Sequence, residues 1–211
     1  MTHVTATAGA AINPHSTGVP SRKLAVWLFL GSEVLFFSAL MLTTMALRLT
    51  SQSWPAHEQV QRVLNIPLTA LNTFLLIVSS VTVALALDAV QRGRQRRLIV
   101  FLLATLALGT TFLGIQAYEY HLLWGHGLTP TAVPQAEMAG ADPLFASTFY
   151  AMTGFHGLHV LGGLLVLLLV IGRALGGAYG RGSHEGVELF GLYWHFVDVV
   201  WIVLFTLAYL I

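Results

Sequence analysis

Tyr193-Trp194-His195-Phe196-Val197-Asp198-Val199-Val200-Trp201 lies inside residues 189–211, an otherwise largely apolar run at the C-terminal end of the chain. About 20 mostly apolar residues suffice to cross the hydrocarbon core of a bilayer as a helix. An ionisable side chain at that depth costs ~2.5–3.5 kcal/mol on insertion scales. His195 and Asp198 are therefore expected to face protein rather than lipid. Residues three apart share one helix face, so the two are expected to pair with each other. The segment reads as a membrane helix with an ionisable face turned inward and an apolar face turned outward.

Four other windows meet the same length criterion: residues 24–47, apolar except for Glu33, then residues 68–87, 98–118 and 144–172. All are too long and too continuously apolar to be barrel strands, which alternate over ~10 residues. Composition agrees. Of 211 residues 56% are hydrophobic and 9% are charged, against about 25% charged in a soluble domain. A net charge of +1 gives no reason to expect nucleic acid as a partner. The absence of cysteine excludes disulfides, thiolate metal sites and thiolate catalysis. No nucleotide-binding glycine motif, zinc-protease motif or nucleophile elbow is present.

The fold class expected is all-α: a polytopic membrane protein with five transmembrane helices in one bundle. Residues 1–21, rich in Thr, Ala, Gly, Ser and Pro, read as a flexible cytoplasmic tail without a cleaved signal peptide. Residues 22–211 form the one membrane domain. Arg22, Lys23, Arg92, Arg94, Arg96, Arg97, Arg173 and Arg181 fall at one end of such a bundle, and only Arg48 and Arg62 at the other. The positive-inside rule then predicts a cytoplasmic N-terminus and an external C-terminus. The basic turn at residues 92–97 either binds anionic lipid heads or only sets topology.

At 1.5 Å rise per residue, Glu33 and Asp198 lie ~14 Å from the basic end, His195 ~9 Å and His159 ~20 Å. The sequence thus predicts one polar layer, Glu33, His159, His195 and Asp198, joining the first, fourth and fifth spans. Glu33 reads either as a carboxylate that handles protons or contacts lipid heads, or as a structural acid bonded to a neighbouring helix. Ser32 is its candidate local partner. His156 and His159 sit three apart among Gly154, Gly157, Gly162 and Gly163. Small residues let helix backbones approach closely, so a tight helix contact with two interhelical hydrogen-bonding imidazoles is expected rather than metal or haem ligation. Trp27, Trp124, Trp194, Trp201, Tyr118 and Tyr120 include residues near span ends, which read as ordinary interfacial anchors. Tyr118-Glu119-Tyr120-His121 reads either as a contact for a partner subunit or, in preference, as a helix cap in the headgroup zone.

Several of these stretches resemble subunit III of the haem–copper (cytochrome c) oxidases. The string Trp194 to Trp201 is similar to that family's last-helix motif. Trp27-Leu28-Phe29-Leu30-Gly31-Ser32-Glu33-Val34-Leu35-Phe36-Phe37 is similar to its Ser-Glu helix. Leu71-Asn72-Thr73 with Ser79-Ser80, Gln116-Ala117-Tyr118-Glu119-Tyr120, and Gly154-Phe155-His156-Gly157-Leu158-His159-Val160 resemble the helices between. Five ordered matches cover residues 24–211.

The resemblance implies a non-catalytic subunit of a respiratory terminal oxidase in a prokaryotic plasma membrane. It implies no catalytic, cofactor-binding or metal-binding residue in this chain, with haem and copper carried by partner subunits. It also implies that subunit I is the main partner, alongside other oxidase subunits and membrane lipids. Such a subunit stabilises the catalytic subunit, holds phospholipid in a cleft and supports proton uptake, and Glu33 matches the family's intramembrane carboxylate. The longer family form has seven helices, and its two additional ones wall one side of the lipid cleft. Subunit III of a quinol oxidase and the accessory subunit of a nitric oxide reductase are alternative readings, as the electron donor binds other subunits. A histidine-based metal enzyme and a stand-alone proton or ion transporter are the competing classes. The first lacks a ligand quartet, and the second lacks broken, repeated helices.

Overall fold

The computed structural model describes residues 21–210, and the tail expected over residues 1–21 lies outside them except for Ser21. Six α-helices follow: α1 Ser21–Thr50, α2 His57–Val63, α3 Ile66–Gln91, α4 Gln95–Gly125, α5 Leu144–Leu175 and α6 Glu185–Phe205. A π-helical turn, Thr206–Leu210, continues α6. There is no strand among the described residues, only two isolated β-bridges. All but α2 are long and apolar enough to cross a membrane. The five expected spans are all present, each longer than its apolar window. Their polar ends carry the same backbone ladder out of the hydrocarbon zone.

Local chemistry sets the boundaries. Asn65 caps α3, its side chain accepting from the Leu68 amide at 3.2 Å, and Pro67 stands at the helix start, where a missing N–H is harmless. The α3–α4 hairpin turns at Gly93, whose φ of +69° a side chain would strain. The Arg94 amide closes that turn on the Ala89 carbonyl at 2.8 Å. The two-turn α2, not expected from the sequence, fills part of the connection after α1. It is stapled at its start by the Ala56 amide donating to the Gln59 side chain at 2.9 Å.

Helices α3 to α6 form the body of the bundle, with α3 and α4 in the most extensive contact. The more peripheral α1 lies against α5 and α6, and of its side chains only Phe37 is fully in the core. The distribution of polarity is that of a membrane protein. Thr69, Asn72, Thr73, Ser79, Thr105, Gln116, Glu119, Thr153, His156 and Asp198 are buried, while many leucines cover the outside. At the basic end Lys23 bonds Glu188 and Arg22 lies 3.6 Å from Glu185, tying α1 to α6.

Candidate functional site

The best-defined intramembrane polar contact joins α1 to α5. His159 Nε2 lies 3.0 Å from Glu33 Oε2, and His159 Nδ1 lies 2.7 Å from the Phe155 carbonyl. A carbonyl only accepts, so Nδ1 carries a proton. The contact with Glu33 then requires one further proton, held either by the imidazole or by the carboxyl. The pair is a one-proton unit in both forms, ion pair or neutral. The ring of Phe37 meets the imidazole at 5.0 Å and that of Phe36 at 6.3 Å, and these apolar neighbours limit solvent screening. Tyr193 on α6 donates to the His159 carbonyl at 2.8 Å, so three helices meet at this point. Ser32 is not the local partner expected of Glu33. Its hydroxyl bonds the Phe29 carbonyl at 2.6 Å and is exposed, the ordinary back-bond of a helical serine.

The expected His195–Asp198 pair does not form. His195 Nδ1 contacts the Ser80 hydroxyl of α3. Ser80 also neighbours Asp198, yet both carboxyl oxygens, on a side chain only 4% exposed, lack a hydrogen bond. Helical spacing places the two residues on one face, but a third group from α3 stands at that face and takes the imidazole. Asp198→Ala would therefore not strand His195. Asp198→Asn, which removes an ionisable group without a cation partner, should change the stability of the isolated subunit by less than ~1 kcal/mol. Thermal unfolding in detergent checks this.

His156 departs from expectation in another way. It is fully buried, and neither ring nitrogen has a hydrogen-bond partner. It packs as an aromatic ring instead, stacked on Trp201 at 4.7 Å and edge-on to Phe112 at 5.8 Å. Gly157 and Gly163 do what small residues were expected to do, while a Cβ on Gly154 or Gly162 would make only ordinary contact at 3.8 or 3.9 Å. A Cβ on Gly157 would lie 2.8 Å from Gln116 Oε1, and one on Gly163 would lie 2.8 Å from the Trp194 ring. Trp194 and Trp201 are not interfacial anchors. Both are buried, their indoles donating to Ser79 and Thr73 of α3 at 2.9 Å. Trp27, Trp124 and Tyr118 are exposed.

Glu119 is the polar residue whose environment the sequence reading missed. It does not cap a helix end, because α4 runs six residues further, to Gly125. It is 4% exposed, accepting from Thr69 Oγ1 at 2.9 Å and from the Tyr209 hydroxyl at 3.1 Å. Its register with Phe112 and Gln116, four and three residues apart along the inner face of α4, was the signal available. The single polar layer thus resolves into two clusters, Glu33 with His159 and Ser80 with His195 and Asp198, and Glu119 forms a further one with Thr69 and Tyr209. Among the described residues no three His, Asp or Glu side chains converge where a metal ion could sit.

Residues 6–211 match the family model described as Cytochrome c oxidase subunit III. A cytochrome c oxidase subunit 3 from Thermostichus vulcanus is 40% identical over 191 residues, 90% of this chain and 87% of that protein. One from Synechocystis is also 40% identical over 191 residues, covering 90% of this chain and 76% of the relative. A probable cytochrome c oxidase subunit 3 from Mycobacterium leprae is 33% identical over 215 residues, the full length of both chains.

Proposed function

The chain belongs to the cytochrome c oxidase subunit III family, and on that premise we propose that it supports proton uptake by the catalytic subunit through the Glu33–His159 unit. As subunit III it is a multi-pass membrane component of a cytochrome c oxidase complex. Our reading places it in a prokaryotic plasma membrane with its basic end in the cytoplasm. There it docks chiefly against subunit I, which with its partners carries the haem and copper, and holds phospholipid along its apolar flanks. This chain contributes no redox centre and no catalytic residue in this reading.

The observation that carries the proposal is the 3.0 Å contact between His159 Nε2 and Glu33 Oε2, where α5 meets α1. The proton of such a carboxyl–imidazole pair can pass between its two partners without leaving net charge in hydrocarbon. Losing or gaining it leaves one net charge, which the catalytic subunit would have to compensate in this reading. In the proposed orientation the pair lies in the half of the membrane where the catalytic subunit takes up protons. Stability alone would also explain a buried pair, so the test separates the two roles. Glu33→Ala should leave the subunit in the purified complex while steady-state turnover falls two- to threefold or the active lifetime shortens comparably. Normal turnover and lifetime in an intact complex would reduce Glu33 to a structural group.

A further inference from the structure

A cavity of about 30 Å³ lies at the end of the bundle opposite the basic turn, between α1, α5, the start of α2 and the π-helical turn. That is room for one water-sized guest and too little for an organic ligand. Three of the four methionines among the described residues stand in its wall: Met41, Met45 and Met152. Met41 and Met45 are one turn apart on α1 and share a face. Met152 comes from α5, where its sulfur meets the Thr44 hydroxyl of α1 at 3.4 Å. His57, the first residue of α2, and Trp54 just before it stand in the same wall.

Methionine commonly fills irregular gaps in a core, yet here three of them surround a gap that stays open. Thioether sulfur with imidazole nitrogen is the donor set that suits Cu(I). Among the described residues no Asp or Glu lines the cavity, which removes the oxygen donors that magnesium and calcium require and the anionic donors usual for zinc. Arg48 also stands in the wall, and its charge opposes a doubly charged guest more than a singly charged one. The indole of Trp54, edge-on to Phe145 at 5.7 Å, brings an aromatic ring to a cation. A methionine side chain has three rotatable bonds, so the sulfurs can close on an ion without moving a helix. Met152 is buried and Met45 is 38% exposed, so the ligand set runs from the surface inward and supplies an entry path.

We propose that Met41, Met45, Met152 and His57 form a cuprous-ion site, with three thioether sulfurs and one imidazole nitrogen as ligands and Trp54 beside the ion. His57 Nε2 contacts the Gln61 side-chain amide at 2.6 Å. With the amide oxygen turned to the ring, Nε2 donates and Nδ1 keeps the lone pair that a metal needs. The ion is held there and not oxidised, so the site adds no redox centre to the chain. None of its four ligands belongs to the Glu33–His159 unit, and the inference stands independently of the proton role proposed for that unit.

The full chain, purified alone in detergent and so without any copper of partner subunits, provides the test. It is loaded with Cu(I) under anaerobic conditions and challenged with excess bicinchoninate. It should keep one ion per chain, and X-ray absorption should show sulfur scatterers around that ion. Leucine conserves the volume of methionine, so Met41→Leu, Met45→Leu and Met152→Leu each remove a ligand and spare the packing. Loss of an outer-sphere partner alone costs about 10–100-fold in metal affinity, and each of these changes should weaken binding by about tenfold or more. His57→Gln should do the same. The triple methionine variant should keep no copper while its thermal unfolding stays near that of the wild type. Complete loss of copper from the wild-type chain to bicinchoninate overturns the proposal, as does copper held through nitrogen and oxygen alone. Retention undiminished in the three single variants overturns it too, whether or not the triple variant folds.

Discussion

Trp194→Ala should be the most damaging single substitution in the bundle, lowering stability by ~3–5 kcal/mol. The indole is fully buried at the meeting point of four helices. It rises from α6, and its ring fills the space left by Gly109 of α4 and Gly163 of α5. A Cβ at those glycines would lie 2.9 Å and 2.8 Å from ring atoms. Its Nε1 donates to Ser79 of α3 at 2.9 Å. Lipid tails are as apolar as leucine, so little hydrophobic force between helices repairs such a void, and close side-chain contact is what holds them. Alanine removes that contact and the hydrogen bond together. Trp194→Phe should lose about half as much, since it keeps much of the ring volume. Gly163→Val should also destabilise strongly, through overlap instead of a void, by ~1–3 kcal/mol. Thermal unfolding in detergent, with recovery of subunit III in the purified complex, reads all three. A Trp194→Ala subunit with wild-type unfolding and recovery would mean that the glycine contacts carry no energy.

The second large effect is expected at His159→Leu, which leaves Glu33 without its partner inside the membrane. Breaking one side of a fully buried pair costs ~3–5 kcal/mol. His159 and Glu33 keep 19% and 17% of their side-chain surface, so roughly 2 kcal/mol is the fitting expectation after that discount. The informative variant is the double one. Glu33→Leu with His159→Leu removes both polar groups, and buried pairs replaced by apolar residues are often neutral or more stable. The double variant should therefore regain stability that His159→Leu lost, with a coupling energy of at least ~1 kcal/mol in the full cycle. Turnover should not return with it if the pair handles a proton, because leucine holds none. Recovery of both stability and turnover would assign the pair a purely structural role. Additive effects of the two single changes would show that the pair is not coupled.

The amino-acid sequence alone determined the five spans, the inward burial of polar side chains and the family. Each span is a long apolar run whose helical backbone satisfies its own hydrogen bonds, and this requirement is local. Gly157 and Gly163 were legible as a close helix contact for the same reason, since a missing side chain is a property of one residue. The choice of polar partners was a different matter. His195 and Asp198 share a helix face in the sequence, yet Ser80, from a helix more than a hundred residues away in the chain, takes the imidazole. His156, a candidate hydrogen-bonding residue, is enclosed between Trp201 and Phe112. Glu119 reads as the end of a span because the apolar window stops before it, while Thr69 and Tyr209 draw it into the interior. Periodicity fixes which face a side chain is on. Which donor or acceptor lies opposite is set by helix order, rotation and axial offset, and only the tertiary structure decides those.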